Sequence, residues 1–188
     1  MSRRGRLYSY LLCALFAALT AICSQIMIPL PFTPVPVNLA LLAVWVCGGL
    51  LGAKKGAVSI LVYLLLGCVG VPVFVGFAGG LGVLAGPTGG YAVGYLPAVV
   101  IYGLLAGGQG RPKNTKTLPH IIFAILKGLP ALAACYAMGT VWFVTSTGTG
   151  LLAAMVMCVI PFIPGDILKL FAAAAIIESL RKPIGAIG

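Results

Sequence analysis

Acidic residues are almost missing from this chain: of 188 residues, only Asp166 and Glu178 carry a carboxylate side chain. Charged residues of either sign make up 7%, where a soluble domain usually has about a quarter. A water-facing globular surface is therefore excluded. A single histidine, His120, and six cysteines with no C-x-x-C spacing (13, 23, 47, 68, 135 and 158) leave no donor set for a metal. The cysteines lie in or beside apolar segments and read as small hydrophobes. One aspartate, one distant histidine and scattered serines do not make a hydrolytic triad. No G-x-x-x-x-G-K-[ST] run is present, so the chain has no nucleotide-hydrolysing loop of its own. No cofactor is implied.

What is present is apolar surface. Hydrophobic residues make up 61% of the chain, and single runs reach the roughly 20 residues that span a bilayer. The formal charge of +10 is topological rather than a footprint for nucleic acid. Arg3, Arg4 and Arg6 precede the first apolar run, Lys54 and Lys55 follow the second, and Arg111, Lys113 and Lys116 occupy the central polar stretch. Arg181 and Lys182 follow the last apolar segment, while the stretches 29–37, 68–90 and 145–150 carry no charge. Basic segments alternating with uncharged ones follow the positive-inside rule and place both termini in the cytoplasm, with an even number of spans. The Arg-rich start resembles a signal peptide, but its apolar run is too long, so we expect it to be retained.

The expected spans are about 7–28, 38–52, 57–68 and onward, 91–106, 126–144 and 166–180, with an interfacial piece ahead of the fifth. Lys127 is expected to snorkel to the inner surface and Trp142 to sit in the outer aromatic belt. Residues 151–163 are too short to span and are expected to dip into the outer leaflet. Three stretches are irregular. Four prolines in residues 29–36 call for a stiff extended loop. Residues 70–90 are apolar but hold eight glycines and two prolines, a density no regular helix should survive. Irregular backbone at membrane depth is tolerated only where protein buries it or a cavity is lined by it. The third stretch is Ile163-Pro164-Gly165-Asp166-Ile167-Leu168-Lys169. An ionisable group there marks a functional site by default, and Lys169 lies three residues on, on the same helical face. Fifteen helical residues put Asp166 about 22 Å from the inner boundary, in the outer part of the bilayer. A lidded polar pocket facing outside is one reading; an ion pair that locks helix packing is the other.

The chain resembles a known family. Gly70-Val71-Pro72-Val73-Phe74, Gly79-Gly80, Gly86-Pro87-Thr88-Gly89-Gly90-Tyr91 and Gly94-Tyr95 look like the signature of BioY proteins, the biotin-specific S-components of energy-coupling-factor (ECF) vitamin transporters. Pro34-Val35-Pro36 and Pro161-Phe162-Ile163-Pro164-Gly165-Asp166 with Lys169 continue the likeness, which covers roughly residues 7–182. It implies an all-α integral membrane protein of the bacterial cell membrane, with a six-transmembrane-helix S-component bundle and Gly/Pro-rich outer loops. Residues 1–188 would form one transmembrane substrate-binding domain. The implied function is high-affinity capture of biotin from outside. Transport would be driven by a separate transmembrane coupling protein and two ATPase subunits.

The resemblance also implies that Asp166 and Lys169 contact the ureido ring. The chemistry agrees: a carboxylate accepts from the two N–H groups and an ammonium donates to the carbonyl. Phe77, Tyr91 and Tyr95 are candidate walls for the thiophane ring and valerate chain, or ordinary bundle packing. Thr88 or the glycine-rich backbone is a candidate for the ligand's carboxylate. Members of the family commonly carry a glutamine near the start of the second span; here Asn38 is the only amide available. In the first span, Ala14 and Ala18 form a small-residue step, which in the family docks onto the coupling protein and otherwise serves internal packing. A solitary ion-coupled carrier using Asp166 as a proton site is the alternative, although the repeated halves that would favour it are lacking. An S-component for a different vitamin is another.

Overall fold

The structure, a computed structural model, describes residues 3–31, 33, 35–107 and 117–185. Pro34 and the basic residues 111, 113 and 116 lie outside the described residues, as do the side chains of Arg3, Arg4, His120, Arg181 and Lys182. Helix α1, Arg3–Gln25, leads into a two-residue ladder in which β1, Met27–Ile28, pairs antiparallel with β2, Val37–Asn38. The ladder ties down the two ends of the proline-rich loop. Asn38 Oδ1 accepts the Ala40 N–H at 2.9 Å and so starts α2, Ala40–Cys68. At Gly52 (φ 74°, ψ 177°) α2 doubles back into a second limb, where the sequence places an inner turn. Glycine reaches that conformation without the Cβ clash other residues meet.

A short helix α3, Leu81–Ala85, precedes α4, Gly89–Ala106; then come α5, Thr117–Thr147, and α6, Leu151–Cys158. A 3₁₀ turn, Ile160–Phe162, enters α7, Ile163–Gly185. Five segments, within α1, α2, α4, α5 and residues 151–180, are long and apolar enough to cross a membrane. With α2 broken at Gly52, the bundle has six membrane limbs.

Three expectations are corrected. Residues 118–144 form no separate interfacial piece; they belong to the single helix α5, which runs through Pro130. A proline costs a helix one hydrogen bond and a local clash, and here packing against α4 and α7 holds the helix on both sides of it. The stretch 70–90 is not irregular throughout, because the apolar run after Gly80 makes the one-turn α3 and Gly89 already belongs to α4. Helix α7 begins three residues ahead of Asp166, since Pro164 sits in its first turn, where a missing N–H costs nothing.

Helix α2 packs on α4, α1 and α7, and α4 on α5. Outward faces are apolar, as a lipid-facing surface requires: Leu11, Leu15 and Leu104 are exposed. The interior holds Trp45 and Tyr102 in an edge-to-face pair, centroids 5.4 Å apart. A Cβ at Gly103 would overlap the Ala53 backbone, so the glycine is what lets α4 approach the α2 turn.

Candidate functional site

Asp166 and Lys169 are both buried, 4% and 8% exposed, in the first two turns of α7. Their three-residue separation on one helical face brings Lys169 Nζ to 2.7 Å from Asp166 Oδ1. Tyr136, projecting from α5, donates its hydroxyl to Asp166 Oδ2 at 2.5 Å. Each carboxylate oxygen thus carries one donor and keeps acceptor capacity, and the ammonium has used one of its three protons.

This cluster closes one side of a cavity of about 210 Å³. The remaining walls come from nearly every element. Asn38 and Pro36 come from the hairpin, Leu41 and Tyr63 from the two limbs of α2, and Phe74 and Thr88 from the glycine-rich stretch. Helix α4 adds Tyr91 and Tyr95, α5 adds Cys135, the end of α6 adds Cys158, and the 3₁₀ turn ahead of α7 adds Phe162. The Tyr91 hydroxyl lies 3.2 Å from Thr140 Oγ1, with the ring packed where Gly139 leaves room. Phe74 stands edge-on to Tyr63 at 5.6 Å and occupies the space that a side chain at Gly67 would fill.

The volume lies below the range of about 300–1,000 Å³ usual for ligand pockets, so it suits one compact molecule. Its charges are one anion and one cation already paired, so the arrangement balances a neutral polar group offering donors and an acceptor side by side. Apolar and aromatic walls suit a hydrocarbon-rich remainder. Among the described residues no group of histidine, cysteine and carboxylate side chains can hold a metal.

Of the residues singled out from the sequence, Asp166, Lys169, Tyr91, Tyr95, Thr88 and Asn38 meet in this cavity. Phe77 does not. Its ring is 72% exposed and lies outside the cavity lining, because the backbone turns through φ 73° at Gly76 and 56° at Phe77 itself. Phe74, three residues earlier, takes the wall position instead. Ala14 and Ala18 are exposed on the outward face of α1, whereas Ala17 is buried. Trp142 is half-exposed and donates Nε1–H to the Gly86 carbonyl at 3.1 Å. The sequence reading missed Tyr136, Tyr63 and Phe74. A tyrosine inside an apolar helix was the available signal, since its hydroxyl needs a partner at that depth.

The chain matches the BioY family model over residues 1–186. It is 38% identical over 170 residues to a probable biotin transporter BioY of Pyrococcus horikoshii, covering 90% of this chain and 94% of that protein. It is 36% identical over 167 residues to the biotin transporter BioY of Rhizobium etli, covering 87% of each. Among solved structures, the S-component for biotin from an ECF-type ABC transporter superposes with a TM-score of 0.84 at 28% identity, over 97% of this chain and 95% of that one.

Proposed function

Because the chain belongs to the BioY family, we propose that it takes up biotin as the S-component of an ECF transporter in the cell membrane. The observation that carries this reading is the buried Asp166–Lys169 pair, polarised by Tyr136 and facing a small cavity with apolar walls. A ureido ring offers two N–H donors and one carbonyl acceptor. Asp166 accepts from the N–H groups and Lys169 donates to the carbonyl; charge-assisted bonds of this kind are about twice as strong as neutral ones. The thiophane ring and valerate chain then lie against Tyr91, Tyr95 and Phe74. Thr88 and the start of α4 offer neutral donors near the chain's end.

The basic residues at both ends of the chain support cytoplasmic termini, so the cavity, which lies toward the opposite ends of α4 and α5, faces outside. The likeness to biotin transporters and to a biotin S-component supports a transport subunit rather than an enzyme, with energy coming from a coupling protein and two ATPase subunits. The exposed Ala14 and Ala18 serve as the docking step for that coupling protein. Replacing both with Trp should abolish uptake while leaving biotin binding intact.

Calorimetric titration of the purified protein tests the central reading, with a dissociation constant in the nanomolar range, about −12 kcal/mol, as the expected result. No heat at micromolar biotin, with binding of another vitamin, would keep the transporter class and discard the substrate.

A further inference from the structure

The side chain of Gln25, the last residue of α1, makes contacts that the proposed binding chemistry does not use. Its Nε2 donates to the carbonyls of Phe74 at 3.0 Å and Val73 at 3.2 Å, and its Oε1 accepts the Phe77 N–H at 2.8 Å. Only one amide orientation satisfies these partners, because the flipped group would set an oxygen against two carbonyl oxygens. Ser24 Oγ adds a bond to the Val73 carbonyl at 2.6 Å.

The segment held this way is unusual. Phe77 is the one non-glycine among the described residues with a positive φ, 56°, flanked by Gly76 at 73° and by Gly80 at 97°. Backbone in that region persists only where its surroundings over-determine it, and such outliers gather at ligand clamps. Between the bonded carbonyl of Phe74 and the bonded N–H of Phe77 lie Val75 and Gly76, and Phe74 and Val75 both line the cavity. One amide thus joins α1 to the cavity wall at both ends of its strained turn.

Resting on the biotin reading, we infer that Gln25 is a positioning residue. It latches the 73–77 turn against the ligand and so sets how slowly biotin leaves. Gln25→Met keeps the length and volume of the side chain but removes the three bonds that the amide makes to the turn, leaving that of Ser24. It should speed biotin dissociation about 10- to 100-fold, the loss expected for two to three hydrogen bonds, with association changed by less than about threefold. A purely structural glutamine behaves differently: the variant would have a smaller folded fraction, and the folded remainder would release biotin at the wild-type rate.

The decisive measurement is stopped-flow release of a fluorescent biotin derivative from purified wild type and Gln25→Met. Equal release rates overturn the inference alone, whereas wild type that binds no biotin overturns the biotin reading and this inference with it. Should Gln25→Met fail to fold, amide exchange of the wild-type chain decides. Biotin should slow exchange over residues 73–80, and unchanged exchange there overturns the latch.

Discussion

The two halves of the bundle are built to different rules. Away from the cavity, α2 and α4 touch through glycines 48, 49 and 103, with Trp45 and Tyr102 filling the gap. Around the cavity the helices give way to a hairpin, a glycine-rich turn and the α6–α7 connection. Of the six positive-φ residues among those described, only Gly52 lies at the close-packed end; Gly70, Gly76, Phe77, Gly80 and Gly148 lie in the segments at the other. The buried ion pair is there too. Close packing holds the one end together, and strain and buried charge collect at the other, where a ligand can use them.

Substitutions on either side of that division should separate stability from binding. The largest effect expected is at the packed end. Trp45→Ala removes a fully buried ring and should destabilise the protein by about 3–5 kcal/mol. Thermal unfolding in detergent measures this, and the protein that stays folded should keep its biotin affinity.

At the cavity, Asp166→Asn or Lys169→Ala breaks a buried charged pair. A loss of about 2–5 kcal/mol in affinity, roughly 30- to 5,000-fold, is expected by calorimetry. Unchanged affinity with lower thermal stability would move the pair to the packing side of the division.

Tyr136→Phe removes one donor to the Asp166 carboxylate. A hydrogen bond to a charged group is worth about 1.5–3 kcal/mol, so affinity should drop roughly 10- to 100-fold. An unaltered dissociation constant would mean that biotin displaces this contact at no cost.

The smallest effect is expected from the ligand's other end. Apart from Asp166 and Lys169, which are paired, none of the residues that line the cavity is charged. Biotin methyl ester should therefore bind within about fivefold of biotin, about 1 kcal/mol. A hundredfold loss would reveal a carboxylate subsite made by backbone N–H groups.

Much of the fold was legible because membrane insertion imposes a simple rule. Each span must be long and apolar, and basic residues mark one side. The six limbs, the turn at Gly52 and the proline-rich loop follow from that. The continuity of α5 through Pro130 did not, since local propensity argues for a break and the neighbouring helices decide otherwise. At the site, Asp166 stood out as an isolated charge and Lys169 by its spacing. Tyr91, Tyr95, Thr88 and Asn38 entered through a resemblance of motifs.

By itself the sequence determined what had to be buried: one acid and one base in an apolar segment, three residues apart on one face. A charge in lipid is costly, so that pair had to face protein and find partners. Only the tertiary structure decided which partners. Tyr136 lies 30 residues from Asp166 and meets it because α5 and α7 pack together. Phe74 rather than Phe77 forms the wall because the turn between them passes through positive φ, held by an amide at the end of α1. Sequence spacing reports neighbours within one helix. Contacts across helices depend on packing and backbone path, which no local pattern records.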